Sequence, residues 1–369
     1  MCDRLFLAVL SILLLLPAHA SDLERIRVDS NQQAFVTETS GKPFVPWGFN
    51  YDHDDDGELI EDYWESDWPR VEEDFREMKE LGANVVRVHL QFNRFIESPT
   101  KTNAHSFGKL RDLLDLTERV GLYLDLTGLG CYHKQDTPEW YDAMSEEERW
   151  AAQGFFWREV AKVGSTSHAV FCYDLMNEPI VPGKRREDGG WLGPEFAGKY
   201  FVQFITLDPS ERERVEVARS WISTLKTEIR KEDPKTLVTV GLVPWSLRGR
   251  GMSSGFYPDR IVDLLDFLCI HAYPKTEKPG EVLGQLKAFR VGAPVVIEET
   301  FPLHCSIEEF ESFMESTRGV AAGWIGFYWG EKPEVYRERE GFAADATLQW
   351  LEFFEKNGPL FKSPFQGGP

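Results

Sequence analysis

Three observations predict an α/β protein built as a single-domain (β/α)8 TIM barrel. Eight short, nearly continuous apolar runs recur along the 369 residues, each followed by sequence of helical periodicity. The runs lack the strict polar alternation of a half-solvated sheet, as expected of parallel strands covered on both faces. No glycine-rich phosphate loop follows the first run, which sets aside an open doubly wound sheet. Eight such units in roughly 320 residues match a barrel of about 250 residues enlarged by insertions.

The first predicted strand is "PFVPWGFNYD" (43–52). A helix over 67–83 follows, because Trp68, Val71, Phe75 and Met78 share one face and Gly82 stops it. "NVVRVHLQF" (84–92) is the second strand, residues 106–121 a helix ending at Gly121, and "LYLDLTGLG" (122–130) the third strand. Residues 138–163 hold one long helix or two before the fourth strand, "AVFCYDLMNEP" (169–179). Residues 180–209 break the rhythm with Gly, Pro, basic and aromatic residues and read as an inserted loop. The helix at 210–234 carries Val215, Ala218, Ile222, Leu225 and Ile229 on one stripe. Strands "TLVTVGLVPW" (236–245), "DFLCIHAYP" (266–274), "APVVIEETFP" (293–302) and "GVAAGWIGFYWG" (319–330) alternate with helices at 258–265, 279–291, 306–318 and 347–358. No linker or second domain interrupts the series.

At the N-terminus, Arg4 precedes an apolar run at 5–16, then Pro17 and "AHA" (18–20). This is the layout of a secretory signal peptide over 1–20, leaving a catalytic domain at 21–369. The run is short for a membrane span, so a secreted or periplasmic chain without membrane contact after cleavage is expected. A net charge of −20, from 61 acids and 41 bases, disfavours nucleic acid and anionic lipid as partners. Aromatics at 13%, with 12 Trp, suit a large core or a site that stacks on flat ligand faces. Cys172 and Cys269 lie inside apolar runs and read as small hydrophobes, while pairing of Cys131 with Cys305 is left open. No Cys/His spacing suggests zinc. "DHDDDG" (52–57) imitates a calcium loop, but its twelfth position is Tyr63 rather than Glu. No metal or organic cofactor is implied, and a monomer is expected.

In such a barrel the chemistry sits at the C-terminal ends of the strands. In chain order these deliver Asn50, Tyr51, Asp52 and His53; Arg87 and His89; Asp125 and nearby His133; Asn177 and Glu178; Trp245; His271 and Tyr273; Glu298 and Glu299; Tyr328 and Trp329. The fourth and seventh strands stand across the ring and both end in carboxylates. An acid at the end of an apolar strand, stopped by Pro179, is costly to bury unpaired but well placed on the lip of a cleft. Two carboxylates flanking a glycosidic bond, one protonated and one ionised, are the equipment of glycoside hydrolysis.

"DLMNEP", "HAYP", "VVIEETF" and "FYWG", with Arg87 in "VVRVHLQF", resemble glycoside hydrolase clan A over nearly the whole chain past the leader. Family 5, the cellulase and mannanase family, is the closest resemblance. It implies Glu178 as general acid/base, Asn177 near the sugar 2-hydroxyl, His271 and Tyr273 as a His-x-Tyr pair with Tyr273 orienting the nucleophile, and Arg87 keeping that nucleophile ionised. It implies Trp329 as an apolar floor under the sugar; the strand ends add Asn50, His133 and Trp245 as further substrate-binding candidates. Some members read Glu-Glu at the seventh strand with the second as nucleophile, which favours Glu299 over Glu298. Glu298 is then expected to face the helix layer, since successive strand residues face opposite ways. Two departures stand out: Thr127 occupies the place of a third-strand His, and no glycine follows "EETF". The expected activity is retaining hydrolysis of β-linked glucan or mannan, as oligo- or polysaccharide. The alternatives are an exo-acting β-glycosidase, a non-catalytic carbohydrate-binding barrel, and a metal-dependent amidohydrolase. Trp191, in the insertion beside Glu178, is a candidate for stacking on sugar.

Overall fold

The computed structural model describes residues 23–51, 56–187, 189–249 and 252–363. The leader expected at 1–20, and Asp52 and His53, lie outside the described residues.

Eight strands form one sheet: β1 (Trp47–Tyr51), β2 (Val85–Gln91), β3 (Tyr123–Gly130), β4 (Val170–Asn177), β5 (Leu237–Gly241), β6 (Leu268–His271), β7 (Val295–Glu299) and β8 (Gly323–Gly326). Laddered neighbours are all parallel, in the order β5-β4-β3-β2-β1-β8-β7-β6. Two hydrogen bonds join the ends of that list and nearly close the barrel: Asp266 N–H to the Val238 carbonyl at 3.0 Å and His271 N–H to the Leu242 carbonyl at 2.9 Å. Every residue of these strands is buried, as the unbroken apolar runs require.

The helices that alternate with the strands include α1 (Trp68–Glu80), α2 (Ala104–Val120), α3 (Glu146–Gly164), α4 (Arg214–Glu232), α5 (Pro258–Ile261), α6 (Pro279–Ala288), α7 (Ile307–Thr317) and α8 (Phe342–Phe361), with further helices of four or five residues in the loops. Their sequence signals operate locally. Gly121 closes α2 at φ 78°, a left-handed conformation that favours glycine. Ser145 and Glu148 form a reciprocal capping box at the start of α3. The stripe from Val215 to Ile229 faces the core from α4. Helix α8 starts at Phe342, five residues before the sequence pattern suggested.

The predicted first strand over 43–52 divides in two. Pro43–Phe44 joins Ile26–Val28 and Phe35–Thr37 in a small antiparallel sheet, and the barrel strand begins at Trp47. Phe35 packs edge-on against Phe171 and Phe267, both at 5.2 Å, so this sheet stoppers the barrel at the strand starts and leaves the other end for a site. Cys131, Cys172, Cys269 and Cys305 are all free thiols. Among the described residues no helix is long and apolar enough to cross a membrane.

Close approach constrains the eighth strand. A Cβ at Gly326 would sit 1.8 Å from the ring of Trp350, itself buried against Phe310 and Phe353. Gly326→Ala should therefore destabilise the protein by about 3 kcal/mol, the upper end of ordinary overpacking. An unchanged melting temperature would contradict this packing of α8 on β8.

Candidate active site

Strand β4 ends at Asn177, and the chain turns at Glu178 with φ 48°, a left-handed conformation that costs a non-glycine residue roughly 1–2 kcal/mol. The Glu178 N–H is held by the Gly241 carbonyl of β5 at 2.9 Å, and Pro179–Ile180 pairs with Gln203–Phe204 of the insertion. The turn takes Glu178 out of the sheet's alternation and brings its carboxylate, 19% exposed, over the barrel mouth. This is why an acid and a proline end an otherwise apolar strand.

Beneath the mouth, Arg87 of β2 is wholly buried and spends its donors on five side chains. Nε donates to Thr127 Oγ1 at 2.8 Å; one terminal nitrogen donates to Asn50 (2.9 Å) and Glu299 (2.7 Å), and the other to Asp174 (2.7 Å) and Asn177 (2.9 Å). The second oxygen of Glu299 accepts from the Tyr273 hydroxyl at 2.8 Å. The guanidinium fork thus joins β1, β2, β3, β4 and β7 at one point, which a lysine could not do.

His271 lies among three carboxylates. Its Nδ1 is 2.9 Å from Glu178 and 3.4 Å from Glu299, and its Nε2 is 3.4 Å from Glu298. Burial alone would lower its pKa, but Glu299, Glu178 and Glu298 outweigh that and lift it to about 10. Glu298 is fully buried; burial would raise its pKa, but Arg87 and His271 reverse the sign and hold it down at about 2. Asp174 goes the other way: burial and the charge of Glu298 push it up to about 6, against Arg87.

One oxygen of Glu178, one of Glu299 and a nitrogen of His271 all lie within 4.8 Å of one another. Asn177, Glu178, Tyr273 and Glu299 form the floor of a cavity of about 310 Å³, the size of a small-ligand pocket. Phe196 and Phe201 of the insertion and Phe327 and Tyr328 beyond β8 stand on its walls.

Several sequence expectations need correction. Glu298 does not face the helix layer. Ile270 pairs with Ile297 but His271 pairs with Glu299, so Glu298 is the extra residue of a bulge and points inward to Arg87 and His271. Trp329 is not a cavity floor: it is fully buried, against Phe49, and its indole N–H donates to Asp74 of α1 at 3.0 Å. Phe327 and Tyr328, joined by a cis peptide bond, face the cavity instead. Asn50 is wholly buried, donating to the carbonyls of Glu298 and Gly326 while accepting from Arg87, so it positions Arg87 and lies outside the cavity lining. Arg87 and His271 are likewise buried below the floor rather than on it. His133 starts a short turn outside the cavity lining; the third strand contributes Thr127 instead, bonded to Arg87 and to Asp174 at 2.9 Å. Trp245 lines a neighbouring groove, parted from the cavity by Pro194 and Val202. Trp191 is buried under the Arg149 guanidinium, 4.3 Å from its ring, and its N–H donates to the Asp142 carbonyl, so it cannot stack on a sugar.

Asp174 was not singled out from the sequence, although its signal was there. An acid inside the apolar run "VFCYDLM" demands a buried cation, and "VVRVHL" supplies one. Of the aromatic walls, Tyr328 was already among the strand-end residues, and Phe196 and Phe201 come from the insertion expected beside Glu178.

A barrel whose mouth holds two carboxylates facing each other, with an arginine and a tyrosine fixing one of them, defines a glycoside-hydrolase class of site. The family model for Cellulase (glycosyl hydrolase family 5) matches residues 37–332, and the chain belongs to that family. No curated protein matches it. Among solved structures, it is similar to an exo-beta-1,4-mannosidase from Opitutaceae bacterium strain TAV5, with TM-score 0.64 and 18% identity over 91% of this chain and 62% of that one. A GH5_18 protein from Streptomyces cattleya in complex with Manb1-4GlcNAc gives TM-score 0.63 and 14% identity, over 88% of this chain and 82% of that one. The endo-1,4-beta-mannanase from Rhizomucor miehei gives 0.61 and 17%, over 90% of this chain and 100% of that one. The chain thus spans 62% of the length of the Opitutaceae mannosidase.

Proposed function

We propose that this glycoside hydrolase cleaves β-glycosides of gluco- or manno-configured sugars with retention of configuration. The observation that carries the reading is the approach of Glu178 to Glu299, oxygen to oxygen within 4.8 Å. Retaining enzymes place their two carboxyl groups about 5–5.5 Å apart, whereas inverting enzymes leave about 6.5–9.5 Å for a water.

Glu299 is the nucleophile. Arg87 and Tyr273 each hold one of its oxygens, which fixes the carboxylate's orientation toward the cavity. Glu178 is the acid/base. In the first step Glu299 bonds to the anomeric carbon while the glycosidic oxygen departs with the proton of Glu178. In the second, water attacks that carbon, gives a proton to Glu178, and Glu299 leaves as carboxylate. Glu298 lies too deep to reach a sugar and serves as the buried counter-charge to Arg87 and His271. The mannan-active proteins among the similar structures support the manno alternative.

The test is hydrolysis of glucan, mannan, xylan and aryl β-glycosides, with the first-formed anomer read by NMR. The expected product is the β-anomer from a gluco- or manno-substrate. An α-anomer as first product would overturn the double displacement, and absence of turnover on every β-glycoside would overturn the assignment of the pair.

A further inference from the structure

The cavity above Glu178 and Glu299 is polar on its floor and apolar on its walls. Its floor side chains are already engaged: Asn177 with Arg87 and the Phe201 carbonyl, Glu178 with His271, and Tyr273 with Glu299. The walls come from three separate loops: Pro194, Phe196, Phe201 and Val202 from the insertion, Phe301 and Leu303 beyond β7, and Phe327 and Tyr328 beyond β8. None of those side chains is charged, and the Tyr328 hydroxyl is the one hydrogen-bonding group they carry.

A second sugar unit in this space would bring hydroxyls against carbon on several sides. An aromatic ring satisfies the flat C–H face of a sugar, but Val202 and Leu303 offer its equatorial hydroxyls nothing, and a desolvated hydroxyl without a partner is costly. At the cavity mouth Phe196 is 65% and Leu303 47% exposed. Of the five large hydrophobic side chains exposed among the described residues, these two line one cavity. The floor of the cavity is the carboxylate pair itself, so whatever fills the walls is joined to the reacting sugar.

Resting on the retaining reading above, we infer that the cavity seats the uncharged apolar aglycone of a β-glycoside, and that the enzyme releases sugars from hydrophobic alcohols. The bond broken is that between the anomeric carbon and the aglycone oxygen. The alcohol leaves with the Glu178 proton, the sugar passes to Glu299, and water completes the release as in the steps above.

The experiment measures kcat/KM for the methyl, benzyl and octyl β-glycosides of whichever sugar the hydrolysis screen releases, beside the matching disaccharide. Methyl and octyl alcohols are similarly poor leaving groups, so their ratio reports binding rather than bond strength. The octyl or benzyl glycoside is expected to exceed the methyl glycoside by about tenfold or more, since each buried methylene adds to transition-state binding. A gain confined to octyl indicates a chain-like aglycone and one confined to benzyl a flat one; either supports the inference. Phe196→Ser and Leu303→Ser should reduce the octyl-to-methyl ratio without lowering the melting temperature, because both side chains are exposed. A ratio near one, or a disaccharide cleaved better than every alkyl glycoside, overturns the apolar aglycone and leaves the retaining reading standing. No turnover of any β-glycoside removes both.

Discussion

Glu299→Ala is expected to lose more activity than the roughly 10²–10⁴-fold that one acid–base group supplies, and to lose it on every substrate. In the proposed double displacement no covalent intermediate forms without that carboxylate, and no leaving group, however good, restores the step. Glu178→Ala should behave differently. Its loss should reach roughly 10²–10⁴-fold on alkyl and sugar leaving groups, which need a proton, and be far smaller for cleavage of an activated aryl glycoside. Glu298→Gln, which keeps the shape of a side chain buried beneath Arg87 and His271, should retain turnover. The three variants, assayed on one aryl and one alkyl glycoside with a melting curve for each, separate the roles. A dead Glu298→Gln beside an active Glu299→Ala would exchange the nucleophile assignment between the two residues of the bulge.

That bulge also marks a boundary of what can be read from sequence. Eight apolar runs and the stripe on α4 carry the barrel, because both-face burial and a 3.6-residue period leave patterns several residues long. Glu178, Glu299 and Arg87 were visible because charge at the end of, or inside, an apolar strand has few physical explanations. Where a single residue breaks the alternation, the pattern misleads: one extra residue in β7 turned Glu298 inward, and the turn beyond β8 sent Trp329 toward Asp74. The small N-terminal sheet escaped notice because its strands are two or three residues long, too short to show a period. Trp191 misled for a different reason. Its partner Arg149 lies on α3, more than forty residues earlier, and no local pattern announces that contact.

Arg87→Met should be the most destabilising substitution at the site. Removing one partner of a buried, hydrogen-bonded ion cluster costs about 3–5 kcal/mol, because the charges left behind are shut off from water and keep only His271 as a cation. Here Asp174, Glu298 and Glu299 all lose the Arg87 cation at once. The pH dependence follows from Glu298, whose pKa is depressed from 4.5 to about 2. A carboxylate with a lowered folded-state pKa contributes stability that is fully present above 4.5 and is lost as pH falls towards about 2. Arg87 is the largest of the favourable causes of that depression, so the contribution goes when Arg87 goes. The deficit of Arg87→Met relative to wild type should therefore be greatest near neutral pH and shrink at pH values approaching 3, where wild type has itself surrendered much of the same stability. Urea unfolding of both proteins at neutral pH and near pH 3 measures the two deficits. Equal deficits would show that Arg87 stabilises the barrel by filling space rather than by charge. Arg87→Lys discriminates further: an ammonium restores a positive charge but not the fork, so it should recover part of the stability while Glu299, with one donor fewer, stays poorly held and turnover low.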